Sequence, residues 1–310
     1  MKSKTYAAID IGSNAARLLI KKSLPDSLEP SIILRKQLLV RVPLRLGFDV
    51  FSKGKVSPKK GENLIRLMKA YRQLMKIYNV DQYRACATSA MRDAANGEEL
   101  IDKIKEATGI DIEIIAGEEE AAIVYNNHIE SCADPSGRYL YVDVGGGSTE
   151  INYLTDGELK RSASFNIGTV RILSGKVKDE EWRRLNDFLH QVYTIPCADG
   201  CDCTTRIIGS GGNINKLFKL ADPDAKDDQS FSVDELARLY HTMKPLSDRQ
   251  RMEKFNLRPD RADVIIPAAE IFLNIASVVK VQRIYVPMIG VSDGIIDGMY
   301  EADLAREREE

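Results

Sequence analysis

The segment Asp143-Val-Gly-Gly-Gly-Ser-Thr-Glu150 concentrates chemistry in eight residues. Gly145, Gly146 and Gly147 lack Cβ atoms, so the backbone can turn tightly and approach a ligand closely. Successive N–H groups in such a turn can point one way and form an anion-binding nest. Ser148 and Thr149 add hydroxyl donors, and Asp143 and Glu150 bracket the run. Carboxylates beside a phosphate nest imply a bridging divalent cation such as Mg²⁺. The competing structural reading is a plain hairpin turn.

Asp10-Ile-Gly-Ser-Asn-Ala-Ala-Arg17 carries the same logic with fewer glycines: Gly12 for the turn, Ser13 and Asn14 as donors, Arg17 to clamp a phosphate oxygen. A turn-capping Asp10 and a solvated Arg17 are the bland alternative. Ala87-Thr-Ser-Ala-Met-Arg92 reads as a strand-to-helix junction that could hold an anion at the helix start, with Thr88, Ser89 and Arg92 as donors. Gly209-Ser-Gly-Gly212 is a similar device, with Ser210 between its glycines. Gly117-Glu-Glu-Glu-Ala121 opens a helix, and helix-dipole complementarity alone would account for its three carboxylates.

The elements that must position these motifs follow from periodicity. Tyr6 to Ile11, Ala15 to Lys21 and Ser31 to Val42 read as strands. Ser57-Pro58 starts a helix whose apolar residues, Leu64 through Tyr78, recur at helical spacing. Strands over 84–88 and 110–115 flank a helix over 98–107, and a further helix spans 118–129. The pattern then restarts. A shift of 133 residues lays Tyr6 on Tyr139, Asp10 on Asp143 and Gly12 on Gly145. A strand from Ile151, the turn Asp156-Gly157 and a returning strand over 158–165 follow, then a helix over 178–193. Later come a strand at 206, helices, a strand over 283–286, a last helix and a frayed charged tail over 306–310. Strands alternating with helices give an α/β class, and the strand-turn-strand openings make each sheet mixed.

The chain has 310 residues, 44% of them hydrophobic and 29% charged, and a net charge of -2. This bounds it to about two globular domains and excludes collagen, disorder and a coiled coil as the main architecture. A protein that coats nucleic acid would be basic, so no nucleic-acid partner is expected. The apolar stretch from Asp263 to Val281 is interrupted by polar residues and reads as a buried helix, so no membrane partner is expected. With no leader-like start and five cysteines, the expected compartment is the reducing cytoplasm. Cys197, Cys201 and Cys203, with His190 upstream, are too irregularly spaced for a clear zinc site. His128, His190 and His241 form no recognisable motif, and no P-loop is present.

Taken together and in order, Tyr6–Leu19, Ala87–Asn96, Gly117–Ala121, Val142–Glu150 and Gly209–Gly212 resemble the exopolyphosphatase / guanosine pentaphosphate phosphohydrolase family, of the actin–Hsp70–sugar kinase superfamily. Arg261–Ile265 and Gly290–Gly294 also resemble family segments. The resemblance implies two related actin-like lobes around a cleft, residues 1–130 and 131–310. Asp10 and Asp143 would face each other, and the final helix, about 292–304, would pack back on the first lobe. It implies phosphoanhydride hydrolysis on inorganic polyphosphate or pppGpp. Glu120 would be the general base for water, which reverses the bland reading of Gly117–Ala121. Asp143 and Glu150 would hold Mg²⁺, or another divalent ion such as Mn²⁺, or help orient water. Arg92 would bind phosphate. Asp10, Gly12, Ser13, Asn14, Arg17, Thr88, Ser89, Gly145, Gly146, Gly147, Ser148, Thr149, Gly209, Ser210, Gly211 and Gly212 would line the path.

Ala15 stands where the family commonly has Ser, which removes one phosphate donor. The C-terminal helical extension of larger members is not expected, so weak processivity is; two chains in a homodimer would rebuild an extended path. Two rival functions stay open at this point: an ATP-dependent kinase of the same fold, and a catalytically silent (p)ppGpp or polyphosphate sensor.

Overall fold

The computed structural model describes residues 3–24, 33–125, 137–193, 205–221 and 229–309. It divides into two units, Met1–Ala116 with Val291–Glu310, and Gly117–Gly290. The first holds β1 (Thr5–Ile11), β2 (Ala16–Ser23), β3 (Leu34–Val42), α1 (Leu46–Lys53), α2 (Pro58–Ile77), β4 (Gln82–Ala87), α3 (Ser89–Asp93), α4 (Gly97–Thr108) and β5 (Glu113–Ile114). The second holds α5 (Gly117–Tyr125), β6 (Arg138–Val144), β7 (Thr149–Thr155), β8 (Glu158–Phe165), α6 (Thr169–Leu173), α7 (Asp179–Tyr193), β9 (Thr205–Ser210), α8 (Gly212–Ala221), β10 (Ser230–Ser232), α9 (Val233–Met243), α10 (Asp248–Phe255), α11 (Pro259–Ala262), α12 (Ile265–Val279) and β11 (Arg283–Tyr285). The chain then returns to the first unit as α13 (Val291–Glu309).

The two sheets share one plan. The first runs β3-β2-β1-β4-β5, the second β8-β7-β6-β9-β11-β10. In each, the three strands that open the repeat pair antiparallel, and the first of them also pairs parallel with a later strand, β1 with β4 and β6 with β9. Every residue of β1, β6 and β7 is buried, the pattern of strands covered on both faces. β10 is an added antiparallel edge beside β11. In the second unit the apolar α12 lies in the core with Ile265, Ile271, Phe272 and Ile275 fully buried. By length and composition Pro259–Val279 could span a membrane, yet 61% of that window is buried inside the fold.

The elements depart from the periodicity in several places. α5 packs on β7 and β8 and belongs to the second unit, so the units part at Ala116/Gly117; the expected 130/131 boundary itself lies outside the described residues. The strand expected over 110–115 shrinks to Glu113–Ile114, because its pairing with β4 covers only those two positions. α1 escapes the sequence patterns, since it starts after Arg45 in a left-handed conformation (φ 53°) with no side-chain cap. The tail is not frayed through Glu309: α13 continues, with Arg306 lying 3.7 Å from Asp303 one turn earlier.

α13 packs against β1, β2 and β4. Its anchor is Asp303, 3% exposed, which accepts hydrogen bonds from Lys4 Nζ (2.9 Å), Tyr6 Oη (2.8 Å) and Gln82 Nε2 (3.2 Å). A second clasp joins Lys21 to Asp293 (2.9 Å) and Asp297 (3.4 Å). Burial alone would push the Asp303 carboxyl up; the donors Lys4, Tyr6 and Gln82 outweigh it and hold the group below the ordinary aspartate value. Asp303→Asn should therefore cost about 1.5–3 kcal/mol at neutral pH, the range for hydrogen bonds to a charged group. Because the folded-state value is depressed, the contribution is present above the unfolded aspartate value of about 3.9 and fades as pH falls below it. Urea unfolding of both proteins across that range should show their difference shrinking in acid.

Candidate functional site

Each unit carries a turn built the same way. In the first, Gly12 N–H donates to Ala15 O (3.1 Å); in the second, Gly145 N–H donates to Ser148 O (3.0 Å). These atoms coincide under the 133-residue shift. The turn carbonyls are taken by the helix that follows the third strand. Ser13 O accepts from Gly47 N–H (2.8 Å) and Asn14 O from Arg45 N–H (2.9 Å), at the start of α1. Gly145 O accepts from Thr169 N–H (3.1 Å), Gly146 O from Val170 N–H (2.7 Å) and Arg171 N–H (3.1 Å), and Gly147 O from Arg171 Nε (2.7 Å), at the start of α6.

This settles where the amides point. Among the described residues no peptide bond is cis, and in a trans peptide the C=O of one residue and the N–H of the next point opposite ways. With three successive carbonyls turned to α6, the amides of Gly146, Gly147 and Ser148 face away from it together. That is an anion nest. Asn14 and Ala15 present their amides by the same rule, so Ala15 keeps a backbone donor where it lacks a hydroxyl. Gly168 is what lets α6 come this close: a Cβ there would lie 2.4 Å from the carbonyl carbon of Gly147.

The carboxylates are placed by register. Asp143 and Glu150 are directly opposed across β6 and β7, so they leave the same face with Cβ atoms roughly 5 Å apart. They are 6% and 1% exposed, and Glu150 Oε1 accepts from Ser164 Oγ (2.8 Å) on β8. On that face of β7, two residues on, Asn152 donates to Ala121 O (2.7 Å) and pins α5 over the sheet. The neighbouring Glu120 on α5 is 6% exposed. Gly211, at φ +106°, borders Asp143; a Cβ there would meet Asp143 Oδ1 and Val144 O at 3.0 Å, and the backbone conformation favours glycine.

The first unit fills the same frame with opposite charge. Asp10 is opposed by Arg17, and Arg17 by Arg41 on β3. Arg17 Nη1 lies 2.5 Å from Asp10 Oδ2. Where the second unit sets Glu150, the first sets Arg17. Ser13 Oγ lies 2.8 Å from Ser89 Oγ and ties the turn to the β4–α3 junction, while Arg92 Nη1 donates to Ile115 O (2.6 Å).

Two residues expected to contact ligand also have structural roles. Thr149 Oγ1 donates to Ile167 O (2.5 Å) and is fully buried, so its hydroxyl braces the turn. At Gly209 the missing side chain makes room for the core: a Cβ would meet Ile214, Ile284 and Phe272 within about 3.2 Å. Ser210 Oγ donates to Ile289 O (3.2 Å). Beyond Gly212, burial and the charges of Arg261 and Lys219 hold the Lys216 ammonium on α8 below the ordinary lysine value. Cys197, Cys201, Cys203 and His128 lie outside the described residues.

Gly47, Asn152, Gly168 and Arg171 were invisible to motif reading. A signal existed for two of them: an apolar-Gly pair, Leu46-Gly47 and Ile167-Gly168, follows each three-stranded opening. Gly168→Ala should drive Cβ into the glycine turn. A loss of about 1–3 kcal/mol in stability, the usual cost of overpacking, is expected, with inorganic phosphate binding lost as well. Denaturant unfolding and calorimetric phosphate titration would read the two effects.

With this geometry in hand, the likeness to known proteins is informative. The family model described as the Ppx/GppA phosphatase family matches residues 27–302. A 170-residue stretch is 34% identical to the bifunctional 3-dehydroquinate synthase/phosphatase of Fusobacterium nucleatum, covering 54% of this chain and 25% of that one. The chain thus spans about a quarter of that relative's length. Among solved structures, the Aquifex aeolicus Ppx/GppA family member is 25% identical over 97% of this chain and 99% of its own, with a TM-score of 0.74. An exopolyphosphatase from Cytophaga hutchinsonii, 21% identical over 96% and 98%, shares the fold at a TM-score of 0.80. The motifs, the twin turns and the match along nearly the whole length agree: this chain belongs to the Ppx/GppA phosphatase family.

Proposed function

We propose that this protein is a phosphohydrolase that releases the terminal phosphate of inorganic polyphosphate, of pppGpp, or of both. The observation that carries the reading is the second unit's nest of three amides, next to which Asp143 and Glu150 are buried and directly opposed across β6 and β7. The nest binds the phosphoryl oxygens. Glu120 takes a proton from water as the water oxygen bonds to phosphorus and the bridging P–O bond breaks. The shortened chain leaves as an anion. Positioning and charge neutralisation supply most of the acceleration in such transfers.

The donor set bears on a metal. Among the described residues no group of three His, Cys, Asp or Glu converges as a metal cage. Two opposed carboxylates remain, Asp143 and Glu150, which suits Mg²⁺: that ion keeps several waters and takes one or two carboxylates together with substrate phosphates. The residues therefore fit Mg²⁺ or Mn²⁺, and the ion would neutralise charge on the phosphoryl oxygens. The first unit's turn, followed by Arg17, is by itself a second phosphate-binding element of opposite polarity.

A phosphate-release assay with Mg²⁺, comparing polyphosphates of several lengths, pppGpp and ATP, tests the reading; no release from polyphosphate or pppGpp would overturn it. Glu120→Gln should lower turnover by about 10²–10⁴-fold, the range for a general base, while leaving substrate binding nearly unchanged. A variant that keeps more than about a tenth of the rate removes Glu120 from that role. Asp143→Asn should shift the Mg²⁺ dependence to higher concentration and lower turnover together.

A further inference from the structure

Arg171 does more than close a helix. It is 9% exposed and stands on α6, and its Nε–H donates to Gly147 O at 2.7 Å. The peptide that carries this carbonyl also carries the amide of Ser148, the third donor of the nest. The twin turn shows that this carbonyl needs a partner. Its counterpart in the first unit, Asn14 O, is held by a backbone donor, Arg45 N–H at 2.9 Å. In the second unit Gly145 O and Gly146 O have backbone donors from α6, but Gly147 O is held by the Arg171 side chain. A glycine peptide without that bond can rotate at little steric cost, which would carry the Ser148 N–H out of the nest.

We propose that Arg171 is a positioning residue for the phosphate nest: by holding Gly147 O it keeps the Ser148 amide aimed at the terminal phosphate. This is a substrate-orienting role, and its kinetic consequence rests on the phosphohydrolase reading; its effect on anion binding does not.

The test compares wild type, Arg171→Met and Arg171→Lys by calorimetric titration with inorganic phosphate, thermal unfolding, and steady-state kinetics on tripolyphosphate. Arg171→Met should weaken phosphate binding about tenfold or more and lower kcat/KM by at least as much, since removing one aimed donor typically costs 10²–10³-fold in rate. Arg171→Lys should fall between, because an ammonium keeps a charge and a donor but not the guanidinium geometry. A merely structural role would lower the unfolding temperature and leave the phosphate affinity of the folded protein unchanged; that result overturns the proposal. If Arg171→Met does not fold, Arg171→Lys carries the comparison, and wild-type affinity in it overturns the proposal. A wild-type protein that binds phosphate but hydrolyses nothing would sink the phosphohydrolase reading, and weaker binding in Arg171→Met would still support the positioning role. Failure of the wild type to bind phosphate at millimolar concentration overturns the positioning role itself.

Discussion

The site depends on one constraint: a trans peptide cannot point its carbonyl and its amide the same way. Once α6 captures the carbonyls of Gly145, Gly146 and Gly147, the amides that follow them must face the other side. The glycines make the turn tight enough, but it is the helix that gives the turn a direction. Gly168 permits the approach, and β8 delivers the helix to the place where it is needed. A glycine-rich turn without this backing would be a loop with donors pointing anywhere.

The same device stands in both units, and the difference between them is electrostatic. Register puts Asp10 opposite Arg17 and Asp143 opposite Glu150. The first pair neutralises itself and continues into Arg41; the second concentrates negative charge and continues into Ser164. The arrangement of Glu120 depends on the same sheet, because Asn152, two residues along β7 from Glu150, holds the backbone of α5.

The first unit is completed by residues from the far end of the chain. α13 covers β1, β2 and β4, and Asp303 gathers three donors from two separate places in the sequence, Lys4 and Tyr6 at the start of β1 and Gln82 at the start of β4. β1 leads directly into the Asp10 turn, so the helix that buries Tyr6 also steadies the strand that presents Asp10.

Sequence alone determined a good deal. The buried strands ending in Asp10 and Asp143, the glycine turns, the 133-residue repeat and the α/β class follow from residue types and spacing, because local steric rules and period-two or period-3.6 burial act within a few residues. Residue chemistry also marked Asp143 and Glu150, while the family, and Glu120 with it, came through the resemblance of the ordered motifs. What tertiary structure decided are the relations among segments far apart in the chain. Arg171 stands out neither in type nor in spacing, and Gly168 only through the apolar-Gly pair it shares with Gly47; both matter because the topology of β6–β7–β8 returns the chain to the glycine turn. The packing roles of Thr149 and Gly209, one bonded to Ile167 and the other making room for the core, were also set by the packed chain. Likewise the Asp143–Glu150 and Asp10–Arg17 pairs are matters of strand register, and the placement of α5 in the second unit is a matter of which sheet covers its apolar face. Residue type proposes a donor or an acceptor; only the packed chain fixes its direction, because direction is set by hydrogen bonds whose two ends are distant in sequence.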